Sequence, residues 1–332
     1  MKIYLSVLLL SVSLLNVFAQ KPIEKGLNSI SEREAKAAVG FLASDALQGR
    51  GAGALGGQVT SEYLASYLTA LGIQPLSETY FQSFEAYSED FKQKKRYQVN
   101  PDSIAKYKQG VHRVLNLRNV LGMIPGVNKN EYVIVGAHFD HLGMDTNLVG
   151  DQIYNGADDN ASGVSAVMQI AKAFIESGVQ PQRNVIFAFW DGEEDGLLGS
   201  KYFTQNCTFI SQVKGYLNFD MIGRNTDETN PTYVVYFYTE ANPAFGKWLK
   251  DDIKKYNLQL TPNYTPWDKP VGGSDNGSFA KAGVPIIWYH TDGHPDYHKP
   301  SDEVSKINWG KLVEITKASY LNAWNLANEK EY

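Results

Sequence analysis

The chain has 332 residues, with 31 basic against 36 acidic side chains and a net charge of −5, a balance that argues against a nucleic-acid partner. Its single cysteine, Cys207, rules out an internal disulfide, so stability must come from core burial and from any metal the chain holds. An unpaired thiol of this kind is usually a small buried hydrophobe, and no role is assigned to it.

Residues 1–19 combine Lys2, an apolar stretch over residues 3–15 and the sequence Val17-Phe18-Ala19, which predicts a signal peptide cleaved after Ala19. The protein is therefore expected to be exported, to the periplasm or the medium. The apolar stretch is shorter than the roughly 18–20 residues a membrane span needs, and no cysteine follows to take a lipid. No second long apolar run occurs, so the mature chain is expected to lack a span. Residues 31–48 carry apolar positions at helical spacing, with Ser31 and Glu34 forming a capping box. A glycine-rich link at 49–57 precedes a second helix over 58–71, where Tyr63, Leu64, Tyr67, Leu68 and Leu71 share a face and Gly72 ends it. Residues 80–87 alternate like a strand, and residues 88–109 show no period and read as a surface excursion.

Beyond residue 115 the chain reads as α/β. Short β-branched runs predict strands at 119–124, 132–137, 185–190, 216–221, 233–238 and 285–289, and continuous apolar runs suit strands buried on both faces. Helices are predicted at 163–177, 197–206, 244–256, 274–281 and 309–329.

Five segments end in side chains that ligate metals: AHFDH at 137–141, GADDNASG at 156–163, DGEED at 191–195, NFDMIG at 218–223 and DYHKPSD at 296–302. Four of them stand at or just past the end of a predicted strand, where open α/β sheets place ligands and reacting groups. Any domain boundary between His138 and His298 would split this set, so residues 20–332 read as one domain. It has a helical N-terminal part at 31–72, a core at 115–305 and a C-terminal helix at 309–329. Zinc accepts imidazole nitrogen and carboxylate oxygen, and two zinc ions side by side clamp a hydroxide against a scissile carbonyl, so the pattern points to metal-assisted hydrolysis. Asp158-Asp159 suits a bridging carboxylate, although such a pair in a glycine-rich turn is more often a helix cap. Glu193-Glu194 suits a ligand beside a free general base, although paired acids after a strand also favour the start of a helix.

In their order and spacing these motifs resemble the secreted bacterial di-zinc aminopeptidases, a branch of the co-catalytic zinc exopeptidases related to glutamate carboxypeptidase II and glutaminyl cyclase. The resemblance covers about residues 115–305. It implies a three-layer α/β/α sandwich around a mainly parallel mixed sheet, of the phosphorylase/hydrolase-like exopeptidase type. It further implies two zinc ions per chain, with His138 and Asp220 on one, Glu194 and His298 on the other, and Asp159 bridging them next to a cis Asp159–Asn160 bond. Glu193 would be the general base that activates a zinc-bridged hydroxide, and Tyr297 would hydrogen-bond the oxyanion. Asp140 and Asp302 would accept the second ring N–H of His138 and of His298.

The substrate so implied is a peptide with a free N-terminus, whose amino group meets Glu193 and Asp220. His141, His290 and His294 exceed the ligand count and read as outer or pocket-lining groups, and His112 as a surface residue. Arg224 fits either a structural ion pair or a substrate carboxylate, and Asp275 a helix N-terminal acid in a segment where Asn276 replaces the relatives' histidine. The loop at 143–155 is expected to border the pocket, with Trp267, Trp288 and Tyr289 as an apolar wall. A single-zinc glutaminyl cyclase and a carboxypeptidase share this fold, as does the non-catalytic transferrin receptor. The sequence leaves the oligomeric state open.

Overall fold

The computed structural model describes residues 20–89, 97–267, 272–329 and 332, so the leader read in residues 1–19 lies outside it. Helices α1 (Pro22–Ser29) and α2 (Glu32–Leu42) come first, then a tight turn at Asp45–Arg50 and α3 (Leu55–Ala70). Strands β1 (Gln74–Pro75) and β2 (Phe81–Ser88), helix α4 (Pro101–Tyr107), and strands β3 (Arg113–Ile124) and β4 (Asn128–His138) follow. Strands and helices then intersperse as α5 (Gly163–Glu176), β5 (Arg183–Trp190), α6 (Leu198–Asn206), β6 (Val213–Phe219), β7 (Tyr233–Tyr238), α7 (Ala244–Tyr256), β8 (Thr261–Pro266), α8 (Asn276–Lys281), β9 (Ile286–His290) and α9 (Trp309–Asn328).

The strands form one mixed sheet in the order β1-β3-β5-β4-β6-β9-β7-β8, with β2 also paired to β3. Its centre, β5-β4-β6-β9, is parallel. β3 joins β5 and β7 joins β9 in antiparallel fashion. Because side chains alternate across a strand, each central strand feeds two cores at once. Val185, Phe187 and Phe189 of β5 join the core beneath α2, α5 and α9, whereas Ile186, Ala188 and Trp190 join the one beneath α6 and α8. β9 divides in the same way, Ile287 and Tyr289 against Ile286 and Trp288. All eight residues of β5 are buried. At about 1.5–3 kcal/mol per fully buried large apolar side chain, this two-sided burial holds the central strands in register. The result is the three-layer α/β/α arrangement that the resemblance implies. Among the described residues no helix is long and apolar enough to cross a membrane.

The N-terminal part departs from the sequence reading. The helix expected over 31–48 stops at Leu42, and the chain turns through left-handed backbone at Gln48 and Gly49. Ser31 does cap α2, its hydroxyl accepting from the Glu34 amide at 3.4 Å. Glu34 does not return the bond: the Ser31 amide donates to Gln169 at 2.9 Å, and the Glu34 carboxylate pairs with Lys172. Both partners lie on α5, so a tertiary contact displaces the local one. Helix α1 was not anticipated, although Pro22 at its start is a usual opening signal. The surface excursion contains α4, capped by Asn100, whose side chain accepts from the amides of Asp102 and Ser103. Edge strand β8, bounded by proline at its second and last positions, was also missed.

Helix α3 begins inside the glycine-rich link, where Gly56 lets it pack against the preceding turn. A Cβ on Gly56 would lie 1.7 Å from the Leu47 carbonyl oxygen, so only glycine lets α3 lie against the preceding turn. Gly40, on α2, would meet nothing within 4 Å. Gly56→Ala is accordingly expected to destabilise the fold by about 2–3 kcal/mol through overpacking, and Gly40→Ala to stabilise it by about 0.5–1 kcal/mol. Urea or thermal unfolding of both variants beside the parent checks the opposite signs.

Candidate metal centre

The four parallel strands β5, β4, β6 and β9 are neighbours, so their C-terminal ends open on one edge of the sheet. His138 is the last residue of β4, Glu193 and Glu194 lie in the turn after β5, and Asp220 directly follows β6. His298 comes from the loop after β9, where left-handed backbone (φ 55°) turns the chain. Asp159 sits in the wide turn ahead of α5, and the Asp159–Asn160 bond is cis. Asn160 anchors that turn: its amide donates to the Phe219 carbonyl at 2.8 Å and its oxygen accepts from Gly163 at 3.1 Å.

Two pairs of ligand atoms face the two oxygens of Asp159. The His138 Nε2 lies 3.4 Å from Asp159 Oδ1 and 3.6 Å from Asp220 Oδ1. On the other side His298 Nε2 lies 3.2 Å from Asp159 Oδ2 and 3.2 Å from Glu194 Oε2. Two ligands on one tetrahedral zinc, each at about 2.0–2.1 Å, stand about 3.3 Å apart. The observed separations match the edges of two such tetrahedra that share Asp159. The buried Nε2 of His138 has no hydrogen-bond partner, which also fits a group held ready for a metal. Among the described residues, His138, Glu193 and Asp220 offer ligand atoms within 4.8 Å of one another, as do His141, Asp159 and Glu194.

Charge is unevenly distributed over this cluster. Burial and nearby carboxylates raise the Asp159 pKa, and burial pushes Glu193 well up despite the attraction of His138. Burial opposes ionisation of Glu194 as well, yet His141 and His298 hold its pKa below the ordinary range. Burial disfavours the His298 imidazolium, but Asp159 and Glu194 more than offset it and carry its pKa to about 10. His138 is raised for the same reason by Glu193 and Asp220.

The supporting contacts differ in part from those expected. Asp140 was read as the carboxylate partner of His138, but the ring Nδ1 is closer to the Asp140 backbone oxygen, at 3.1 Å, than to its carboxylate, at 3.7 Å. The carboxylate instead accepts the amides of Glu193 at 3.0 Å and Glu194 at 3.3 Å, fixing the turn that carries both acids. Asp302, expected beside His298, accepts the amides of Asp158 and Asp159, each at 3.0 Å, and so supports the bridging turn. In both cases unpaired backbone N–H groups in a tight buried turn claim the carboxylate. His141 binds Glu194 Oε1 at 2.6 Å, leaving Oε2 to face His298. His294 approaches Asp158 at 3.4 Å, and the His290 ring meets the Asp220 carbonyl oxygen at 2.6 Å. Arg224, itself buried, forms a part-buried ion pair with Asp296 at 2.8 Å.

A buried chain that the sequence did not disclose runs from Trp190 through Tyr216 and Asn218 to Ser274, with links of 2.8, 2.6 and 2.9 Å. The Ser274 hydroxyl also helps hold Asp220 ionised. Asp275, next along, is fully buried at the start of α8, where burial raises its pKa to about 7.

The centre opens into a cleft of about 320 Å³ whose walls include Met221, Trp288, His290 and Tyr297. Tyr297 is 46% exposed and stacked on His298 with ring centroids 3.8 Å apart, so it is not a core tyrosine. Two expectations about the walls fail. Tyr289 is fully buried, its hydroxyl bonded to Asn322, because it points to the opposite face of β9 from Trp288. Loop 143–155 contributes nothing to the cleft lining and packs on the N-terminal turn, with Gly143 bonded to Gly49 at 3.0 Å. Trp267 reaches the wall only at second hand, packing against Phe237, which stacks on Trp288.

Comparison with known proteins gives a match to the model of Peptidase family M28 over residues 119–322, more than half of the chain. Leupeptin-inactivating enzyme 1 of Streptomyces exfoliatus is 32% identical over 230 residues, which are 63% of this chain and 48% of that one. The chain thus spans about half the length of this relative. Among solved structures, a zinc aminopeptidase from Bacillus subtilis superposes with a TM-score of 0.68 at 15% identity, covering 91% of this chain and 97% of the other. Fimbriiglobus ruber glutaminyl cyclase gives 0.66 at 16% identity over 90% and 95%. At such identities the structural likeness speaks for the fold alone.

The raised pKa of His298 has a measurable consequence. A metal requires the neutral imidazole, so a group that holds its proton up to about pH 10 must release it on ligation. Zinc uptake by the chelator-stripped protein at pH 7 is expected to release at least one proton, with affinity rising as pH rises. Calorimetric titration in buffers of different ionisation enthalpy checks this; heats independent of the buffer would exclude it.

Proposed function

The chain belongs to peptidase family M28, and we propose that it acts as an exported zinc aminopeptidase that removes residues from the free N-terminus of peptides. The observation that carries this reading is the pairing of His138 with Asp220 and of His298 with Glu194 across the two oxygens of Asp159. This leaves Glu193 beside the cluster without a required ligand role. Two zinc ions in these positions would acidify a shared water and polarise the scissile carbonyl.

The chain's own groups do the remaining work. Glu193, held through its amide by Asp140 and with its proton affinity raised by burial, accepts the proton of the attacking water and returns it to the leaving amine. Tyr297, at the cleft wall, donates its hydroxyl to the oxygen on which negative charge develops. The carboxylates of Glu193 and Asp220 both line the cleft and receive the substrate's α-ammonium group. An aminopeptidase is favoured over a carboxypeptidase because Arg224, the candidate for a substrate carboxylate, is buried and paired with Asp296. A single-zinc cyclase would leave the pairing of His138 and Asp220 without a function.

Glu193→Gln is expected to keep the parent's zinc content while kcat falls by about 10²–10⁴-fold. Zinc analysis beside hydrolysis of aminoacyl-nitroanilides, free and N-acetylated, tests the whole reading. Full activity in the variant removes Glu193 as the base, and equal cleavage of the acetylated substrate removes the aminopeptidase. Export rests on the apolar leader alone. A secreted chain whose N-terminus is Gln20 is the expected product, and retention of residues 1–19 in the cytoplasm would contradict it.

A further inference from the structure

Arg50 lies outside the segment matched to the family, yet its side chain is fully buried beneath the metal centre. All five of its hydrogen bonds go to backbone carbonyl oxygens. Nε donates to Phe139 at 2.8 Å, Nη1 to Leu42 and to Asn155 at 2.7 Å, and Nη2 to Gly156 at 3.0 Å and Asp159 at 3.5 Å. Phe139 directly follows His138, and Asn155, Gly156 and Asp159 belong to the segment that presents the bridging carboxylate. Leu42, at the end of α2, is the external anchor.

The backbone around Arg50 is tied to the same region. The His141 amide donates to the Arg50 carbonyl at 3.2 Å and the Gly143 amide to that of Gly49 at 3.0 Å. A Cβ on Gly49 would come 2.2 Å from the Gly143 oxygen, so the two stretches run backbone to backbone. Buried carbonyl groups in an irregular turn need donors, and one guanidinium meets several of them in a fixed planar fork that an ammonium cannot reproduce. Full burial lowers the Arg50 pKa to about 10, against the pull of Asp159, Asp140, Asp302 and Glu194, so the group stays charged at neutral pH. None of its hydrogen bonds is to a carboxylate, which leaves that charge available to the acidic cluster.

From this geometry we infer that Arg50 is a positioning residue for the zinc centre, fixing the Asn155–Asp159 turn and the His138 segment in the ligating arrangement. The inference rests on the reading of Asp159 as the zinc bridge. It makes the N-terminal helical part a component of the site: the turn after α2 delivers a side chain that hydrogen-bonds the backbone of both ligand-bearing segments.

The test compares the parent protein with Arg50→Lys in zinc stoichiometry and in affinity by chelator competition, below the melting temperature of either, with circular dichroism to confirm folding. The folded variant is expected to bind at least one of the two zinc ions about tenfold or more weakly, the loss usual for an outer partner of a metal ligand. A role in stability alone would lower the melting temperature and leave the affinity unchanged, and that result overturns the inference. A second measurement needs no variant. Coupling is reciprocal, so zinc must slow hydrogen exchange at the amides of His141 and Gly143 in the parent, and unchanged exchange there overturns the inference even if the variant does not fold. A parent chain that takes up no zinc overturns the bridge reading and this inference with it. A parent that binds two while Arg50→Lys matches it overturns this inference alone.

Discussion

Asp159, Glu193, Glu194 and Asp220 bring four carboxylates together at one largely buried edge of the sheet, and like charges this close cannot all remain ionised without a counter-charge. Much of the local structure answers that constraint. His138 and His298 face the acids in pairs, while backbone amides of the two turns are bound by Asp140 and Asp302 and not by the cluster itself. Burial raises the proton affinities of Asp159 and Glu193, with neighbouring carboxylates adding to it, and the acids around His138 and His298 raise those of both histidines against burial. A pair of divalent cations would relieve the crowding of like charge, and the separations around Asp159 have the size that two tetrahedral zinc ions would require.

The fold delivers this arrangement through strand order. β4 lies between β5 and β6, with β9 beyond, so four parallel strands end side by side and their following residues converge. Burial on both faces holds those strands rigidly, and short side-chain supports transmit that rigidity to the turns. His141 binds one oxygen of Glu194 while His298 faces the other, so in the proposed centre one histidine would hold a ligand and the other would be one.

Much of this could be read from the sequence because the signals are local. Continuous apolar runs marked β5, β6 and β9, and the acids and histidines following them marked the site. What escaped the reading depends on contacts between distant segments. Asp302 was recognised as an important carboxylate but given the wrong partner, and Asp140 lies beside His138 as expected yet has backbone amides as its nearer partners, since those amides belong to turns whose shape no spacing reveals. Arg50 carries no signal beyond its place in a glycine-rich link, and its five carbonyl acceptors are spread over residues 42–159. Tyr289 was placed at the pocket wall beside Trp288, although adjacent residues of a strand point to opposite faces.

Everything proposed for the reaction depends on Asp159 joining two metal positions. Diffraction from crystals of the zinc-loaded protein, recorded on both sides of the zinc absorption edge, tests this most directly. Two anomalous peaks are expected about 3.5–4 Å apart, with one oxygen of Asp159 on each and with Glu193 on neither. A single peak, or a second one ligated by Glu193 in place of Asp159, would contradict it.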